Sequence, residues 1–300
     1  MIKTNAHTHL ELSGLKDLCP VTPLPFIQWV MALTQAMNHI DLSAIIEKMS
    51  ESIDYLEKTN TSHICDISSI GLSIQPLFNS NLRGIVFLEI LSLDSRDAYI
   101  KFEQIKVKIK KFQKHHNWGK MIIGISIHSP FTCPPDVISG ITKWTNENKI
   151  PICIHISESK DEQNLFLMKP SGFKEYFLNL KIINKTTPIQ FMESIHALSK
   201  NVFLVHCVHL NDKDISIIKK RGCSVIHCPR SNYLLNNNRM KIDKILSNNI
   251  PLFLGTDSLA SSPSLDINDE VDFCYDYHDK KISKEILMGL ITKPIDFSFN

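Results

Sequence analysis

MIIGISIH (residues 121–128) and PICIHISE (residues 151–158) decide the fold. Each is a largely apolar run, rich in isoleucine, that leads into a histidine. Between them, Pro135 to Asn148 reads as an amphipathic helix. Continuous rather than alternating hydrophobicity is what strands covered on both faces require.

Working outward, the same unit recurs. Ile2–His7, His63–Ile67, Ile85–Ile90, Val202–His206, Ser224–His227 and Leu252–Gly255 join Met121–Ile127 and Ile152–Ile156 as predicted strands. Leu42–Lys58, Ala98–His115, Pro188–Leu198, Asp212–Lys220 and Lys284–Ile291 are predicted helices. In Leu42–Lys58 the apolar residues Leu42, Ile45, Ile46, Met49, Ile53 and Leu56 fit helical spacing, and Asp41 or Ser43 is placed to cap its start. Strands alternating with helices in this number predict an α/β protein with a closed (β/α)8 TIM barrel, a single domain over residues 1–300. One such barrel typically takes about 250 residues. A doubly wound open sheet is the alternative, weakened because no Gly-x-Gly-x-x-Gly follows the first strand. Leu18–Pro25, with three prolines, reads as a loop over the end of the first strand.

A formal net charge of +2 argues against a dedicated nucleic-acid or membrane-surface binder. The lysine-rich Lys101–His116 stretch reads as the solvated face of a helix. Eight cysteines without a Cys-x-x-Cys pair, with Cys65, Cys153 and Cys207 inside apolar runs, predict buried reduced thiols and a cytoplasmic location. The N-terminus carries His-x-His where a signal peptide needs an apolar stretch, and no apolar run is long enough to span a bilayer.

Ionisable side chains gather where the predicted strands end, which in a barrel is the catalytic face. His7 and His9 follow the first strand, His128 the fourth, His155 and His206 end the fifth and sixth, and Asp257 follows the eighth. Alternate strand residues point the same way, so His7 and His9 can converge on a divalent metal. His155 would be a third ligand and Asp257 a carboxylate ligand, leaving room for a water. Glu158 lies in the loop just beyond His155 as a proton carrier, and His206 is a second acid–base candidate. His209 and His227 read as structural or supporting, and His39, His63, His115, His116, His196 and His278 as ordinary surface or core histidines.

Asn5-Ala6-His7-Thr8-His9-Leu10-Glu11, His155-x-x-Glu158, Val205-His206-Cys207-Val208-His209-Leu210, His227-Cys228-Pro229-Arg230-Ser231-Asn232 and Gly255-Thr256-Asp257-Ser258 resemble, in order, the motifs of the amidohydrolase superfamily. The branch is that of cytosine-deaminase-like and chlorohydrolase-like enzymes, and the resemblance runs from Asn5 to about Asp269. It implies a single divalent metal, zinc or iron, on His7, His9, His155 and Asp257. It further implies proton shuttling by Glu158, stabilisation of the attacking hydroxide by His206, and substrate contacts at His128, Asn232 and Ser258. The opening Asn5–Gly14, Phe26-x-x-Trp29 and His155–Ser159 look most like a subgroup that includes the aminodeoxyfutalosine deaminases of an alternative menaquinone pathway. The implied reaction is attack of hydroxide on an aminopurine-like or related heterocycle, with release of ammonia. Cleavage of a C–halogen or cyclic amide bond, or a non-catalytic degenerate relative, are the alternatives. The expected partner is a small-molecule substrate, with no nucleic acid and no membrane; a homodimer is a further expectation. Family members normally carry an accessory β-sandwich. Because the first strand follows Met1 almost directly and Asn300 closely follows Lys284–Ile291, both sandwich segments are expected to be missing. That leaves a minimal barrel, a fragment or a decaying copy.

Overall fold

The computed structural model describes residues 2–19, 23–115, 120–173 and 185–295. Expectations for Pro20, for His116 and for the side chain of His115 lie outside the described residues. Eight parallel strands run in sequence order: β1 Thr4–Thr8, β2 His63–Ser68, β3 Arg83–Ile90, β4 Met121–Ile127, β5 Ile152–Ile156, β6 Val202–His206, β7 Ser224–His227 and β8 Leu252–Leu254. A parallel bridge from Thr8 to Asp257 joins the first strand to the last, so the sheet closes into the expected (β/α)8 barrel.

The helices are α1 Phe26–Met37, α2 Leu42–Lys58, α3 Ile74–Asn79, α4 Ser95–His115, α5 Pro135–Asn148, α6 Lys160–Phe166, α7 Pro188–Ser194, α8 Asp212–Arg221, α9 Pro229–Leu234, α10 Ile242–Ser247, α11 Ile267–Tyr277 and α12 Lys284–Ile291. A short 3-10 turn, Leu10–Leu15, follows β1 directly and buries Leu10 and Leu15. Most strand predictions hold to within two residues. Helix α7, however, stops at Ser194 rather than Leu198, where His196 takes a left-handed φ of 57° that no helix continues. Asp41 is the N-cap of α2, but its side chain makes no capping hydrogen bond. Lys110, Lys111 and Lys114 of α4 are exposed while Phe102, Ile105 and Ile109 on the same helix are buried, but Lys101 and Lys108 line a cavity and Lys106 is part-buried over the Phe102 and Trp144 rings, so the solvated-face reading holds only in part.

Two apolar layers hold the barrel. Inside, Ala6, Cys65, Ile67, Ile85, Phe87, Cys153, Phe203, Val205, Ile226 and Phe253 fill the lumen from alternate strand positions. Outside, the opposite strand faces pack on the helices through residues such as Ile123, Ile125, Ile154, Leu204, Val225 and Leu254. This double burial is why the strands read as largely apolar runs. All eight cysteines are buried. No helix among the described residues is long and apolar enough to cross a membrane.

Gly84 is the tightest point of the sheet. It pairs with Ile64 on one side and Met121 on the other at a φ of +143°, and a Cβ there would lie 1.7 Å from the Ile64 carbonyl oxygen. Gly84→Ala must therefore pull β2 from β3, and we expect it to destabilise the fold by roughly 3 kcal/mol or more. Urea unfolding measures this; an unchanged midpoint would show that the strands separate freely at that point.

Candidate active site

His7 and His9 rise from β1, which changes register against β2 between Asn5 and Thr8. Their rings meet edge to face with centroids 4.8 Å apart. His155, closing β5, stacks nearly parallel on His9, and the two Nε2 atoms are 3.2 Å apart. Asp257 Oδ1 lies 3.5 Å from His7 Nε2 and 3.6 Å from His9 Nε2. Three imidazoles and a carboxylate, separated by as much as 250 residues, thus converge on one point at the C-terminal mouth of the barrel.

The surrounding hydrogen bonds aim these groups. His155 Nδ1 is 2.8 Å from the His128 carbonyl oxygen, which can only accept, so Nδ1 carries the proton and the Nε2 lone pair faces the cluster. His206 Nδ1 likewise donates to Asn232 Oδ1 at 2.9 Å, and its Nε2 lies 3.5 Å from Glu158 Oε1. Asp257 accepts from the Ser231 hydroxyl at 2.6 Å and from the Ser258 N–H at 2.8 Å. His7 is buried, yet neither of its ring nitrogens has a hydrogen-bond partner. A buried nitrogen without a partner is costly, and a cation held between His7, His9, His155 and Asp257 would remove that cost. The donor set fits a divalent zinc or iron ion.

Burial sets the charges. Desolvation, then the neighbouring imidazoles, pushes His9 down to about 3 and holds His155 well below the usual histidine range. Desolvation brings His206 down to about 4 against the pull of the Asp257 charge. Burial disfavours the charge of Asp257, but His7, His9 and His206 outweigh it and keep the carboxyl well below its usual range. Glu158 goes the other way: desolvation first, then the Asp257 and Glu162 carboxyls, raise it well above a normal glutamate. Burial therefore favours the neutral forms of His9, His155 and His206, while Asp257 is ionised and Glu158 holds its proton more tightly than a free glutamate.

Local backbone strain accompanies this arrangement. Ser157, His206, Cys207 and Asp257, at the ends of β5, β6 and β8, all take left-handed φ values between 49° and 70°. Each such non-glycine residue costs on the order of 1 kcal/mol, and they cluster where three strand ends turn functional side chains inward.

The mouth opens into a cavity of about 760 Å³. His9, His128, His155, Glu158, His206 and Asp257 lie on its wall, together with Ser258 and the aromatic rings of Phe26, Trp29, Phe131 and Phe173. His128 Nδ1 is 2.7 Å from the Thr132 hydroxyl. Asn232 is placed differently from the expectation of a substrate contact: it is fully buried behind His206, with its amide between His206 and His227. Sequence reasoning gave no role to three carboxylates. Glu89, near the end of β3, faces the cavity and receives the Ser69 hydroxyl at 2.6 Å, while its Oε1 has no partner. Glu162 accepts the N–H groups of Ser157 and Glu158 at 2.9 and 2.7 Å and so fixes the turn carrying Glu158. Glu11 accepts from the Ser68 hydroxyl and from the N–H groups of Ser69, Ile70 and Leu72, pinning the loop after β2.

The profile of the amidohydrolase family matches residues 2–286. An aminodeoxyfutalosine deaminase of Nitratiruptor sp. is 27% identical over 294 residues, covering 96% of this chain and 70% of that protein. A 5-methylthioadenosine/S-adenosylhomocysteine deaminase of Clostridium tetani is 33% identical over 273 residues, 89% of this chain and 58% of that protein. Among solved structures, the aminofutalosine deaminase of Helicobacter pylori in complex with methylthio-coformycin superposes with a TM-score of 0.81 at 20% identity, over 96% of this chain and 69% of that one. A zinc complex of atrazine chlorohydrolase from Arthrobacter aurescens gives 0.75 at 13% identity, over 90% of this chain and 62% of that one. The chain thus spans between 58% and 70% of the length of these proteins.

The depressed histidines couple stability to pH. In the unfolded chain His206 takes up a proton near pH 6.5, but in the folded protein only near 4. Its contribution is whole above pH 6.5 and is lost as pH falls through that window, by up to about 3 kcal/mol. Metal-free His206→Asn should lose less stability than the native chain between pH 7 and pH 4.5. Urea midpoints measure it, and parallel declines would show that His206 is not held neutral.

Proposed function

Since the chain belongs to the amidohydrolase family, we propose that it is a metal-dependent hydrolytic deaminase of an aminopurine nucleoside-like compound, with an aminodeoxyfutalosine-type substrate preferred. The observation that carries this reading is the convergence of His7, His9, His155 and Asp257 beside His206 and Glu158 at an aromatic-sided cavity, with burial raising the Glu158 carboxyl well above its usual range. Similarity to deaminases of aminodeoxyfutalosine and of methylthioadenosine supports the substrate class.

His7, His9, His155 and Asp257 would hold one divalent cation, zinc or iron. Such a cation makes hydroxide available near neutral pH by lowering the pKa of water. His206 Nε2, its lone pair aimed inward by the Asn232 contact, would accept a hydrogen bond from the nucleophile and keep it over the carbon that bears the amino group. Glu158 would give a proton to the adjacent ring nitrogen and recover one from the water that becomes hydroxide, so that charge does not build up on the heterocycle during attack. Asp257 would take the remaining proton of the attacking group, and that proton would leave on the departing amine. Water adds, ammonia leaves and the ring carbon ends as a carbonyl. A carboxyl whose hold on its proton is raised by burial suits a basic amine leaving group better than a halide. Phe26, Trp29, Phe131 and Phe173 offer faces and edges to a purine ring, and the free Glu89 oxygen offers an acceptor for a sugar hydroxyl.

Incubation with aminodeoxyfutalosine, methylthioadenosine and adenosine should release ammonia from at least one, and none from any would overturn the reading. Chelation should abolish release, and zinc or iron should restore it. Glu158→Gln keeps the shape but has no proton to give, and should lower kcat by about 10²- to 10⁴-fold. Glu89→Gln should raise KM far more than it lowers kcat; a pure kcat defect would place Glu89 in the chemistry instead.

A further inference from the structure

The way helix α9 ends bears on both acid–base side chains at once. The chain leaves the helix through Asn236, which takes a left-handed φ of 54°. The Asn236 N–H donates to the Tyr233 carbonyl at 3.1 Å, and the Asn237 N–H donates back to the Asn232 carbonyl at 2.8 Å. This pair of bonds is the Schellman closure of a helix, and it ties the backbone of Asn237 to that of Asn232. Asn238 is again left-handed, at 70°. Asparagine tolerates such backbone better than most residues with a side chain. Asn236 and Asn238 are exposed, whereas Asn237 between them is buried at 2% exposure. Its amide N–H donates to Glu158 Oε1 at 3.3 Å.

We propose that Asn237 is a positioning residue for Glu158, which holds Oε1 and leaves Oε2 as the oxygen that carries the proton in the reaction. Oε1 lies 3.5 Å from His206 Nε2, and that nitrogen offers a lone pair because His206 Nδ1 donates to Asn232. A proton on Oε1 would be drawn to that lone pair, leaving neither group free for the substrate. With the Asn237 N–H on Oε1, the proton belongs on Oε2, which has no hydrogen-bond partner among the described residues. Glu158 lines the cavity, so Oε2 is the oxygen left for the heterocycle. An N–H donor suits both states of Glu158, since Oε1 accepts whether the carboxyl is ionised or carries its proton on Oε2. The bond strengthens once Glu158 has given its proton up, because a hydrogen bond to an ionised acceptor is about twice as strong as a neutral one. Support that grows as the proton leaves favours the transition state over the ground state. One helix closure thus serves two groups: Asn232 orients His206, Asn237 orients Glu158, and the Asn237–Asn232 backbone bond fixes the spacing between them.

This inference rests on the deaminase reading, and the test separates the two. The zinc-loaded native chain is assayed for ammonia release from aminodeoxyfutalosine, methylthioadenosine and adenosine, beside Asn237→Leu, Glu158→Gln and the double variant. A failure of the deaminase reading shows in the native chain itself, as no release from any of the three, and takes the role of Asn237 with it. Where the native chain is active, Asn237→Leu should lower kcat by about 10²-fold, with KM and zinc content as in the native chain. In the Glu158→Gln background the same change should cost little more, because the group that Asn237 holds no longer carries the proton. Asn237→Ala provides a second variant should Asn237→Leu fold poorly, and circular dichroism checks both. A native kcat in a folded Asn237 variant would overturn the inference by showing that Glu158 needs no holding. So would an equal fractional loss in the native and Glu158→Gln backgrounds, which would leave Asn237 as a support of the fold alone.

Discussion

Desolvation governs this molecule. The barrel mouth draws imidazoles and carboxyls out of water, and removal from water decides which of them carry charge. It favours the neutral forms of His9, His155, His206 and Glu158, while Asp257 stays ionised against burial through its contacts with His7, His9 and His206. The same burial makes the surrounding hydrogen bonds matter. A ring nitrogen with no bulk water to turn to takes its orientation from one protein partner, such as the His128 carbonyl for His155 or the Asn232 amide for His206.

Much of the fold is legible in the chain because burial on both strand faces leaves an unmistakable pattern. β4, β5, β6 and β7 begin and end where the apolar runs do. The site is legible for a related reason. An ionisable residue at the end of an apolar strand has one obvious destination, the barrel mouth, and His7, His9, His155, His206 and Asp257 all reach it. What escapes is whatever depends on a neighbour remote in sequence. Glu89 looks like one polar residue in β3, and only the fold brings it beside His128 and His155. Glu11 and Glu162 act on loop amides that no periodicity marks. Asn232 has the right neighbourhood but the opposite face, because α9 turns it behind His206. The left-handed residues at the strand ends carry ordinary side chains, so nothing in their identity announces the strain.

The carboxyls that support the site show how burial is made tolerable. Glu270 is raised to about 7, by desolvation above all, although Arg230 bonds to it at 2.5 Å. Removing either partner would leave the other stranded in a low-dielectric layer. Arg230 thus holds α9 and α11 together beneath the residues Ser231 and Asn232, which orient Asp257 and His206. Much of the polar character of this region is scaffold for a handful of reacting atoms.

The joint between the first and last strands has a kinetic side. β1 meets the β8 end through the Thr8–Asp257 bridge, the Asp257 N–H on the His7 carbonyl at 3.0 Å, and the Asn5 side chain, which exchanges hydrogen bonds with Thr256 across 251 residues of chain. Contacts so distant in sequence form only after a large loop has lost its freedom, so this joint is expected late in folding, after neighbouring strands have paired. The groups placed to hold a metal straddle that same joint, with two histidines on one side and an aspartate on the other. An ion bound there would act as a clasp: it would add little to the early steps that build the barrel, and would slow the opening of the finished ring.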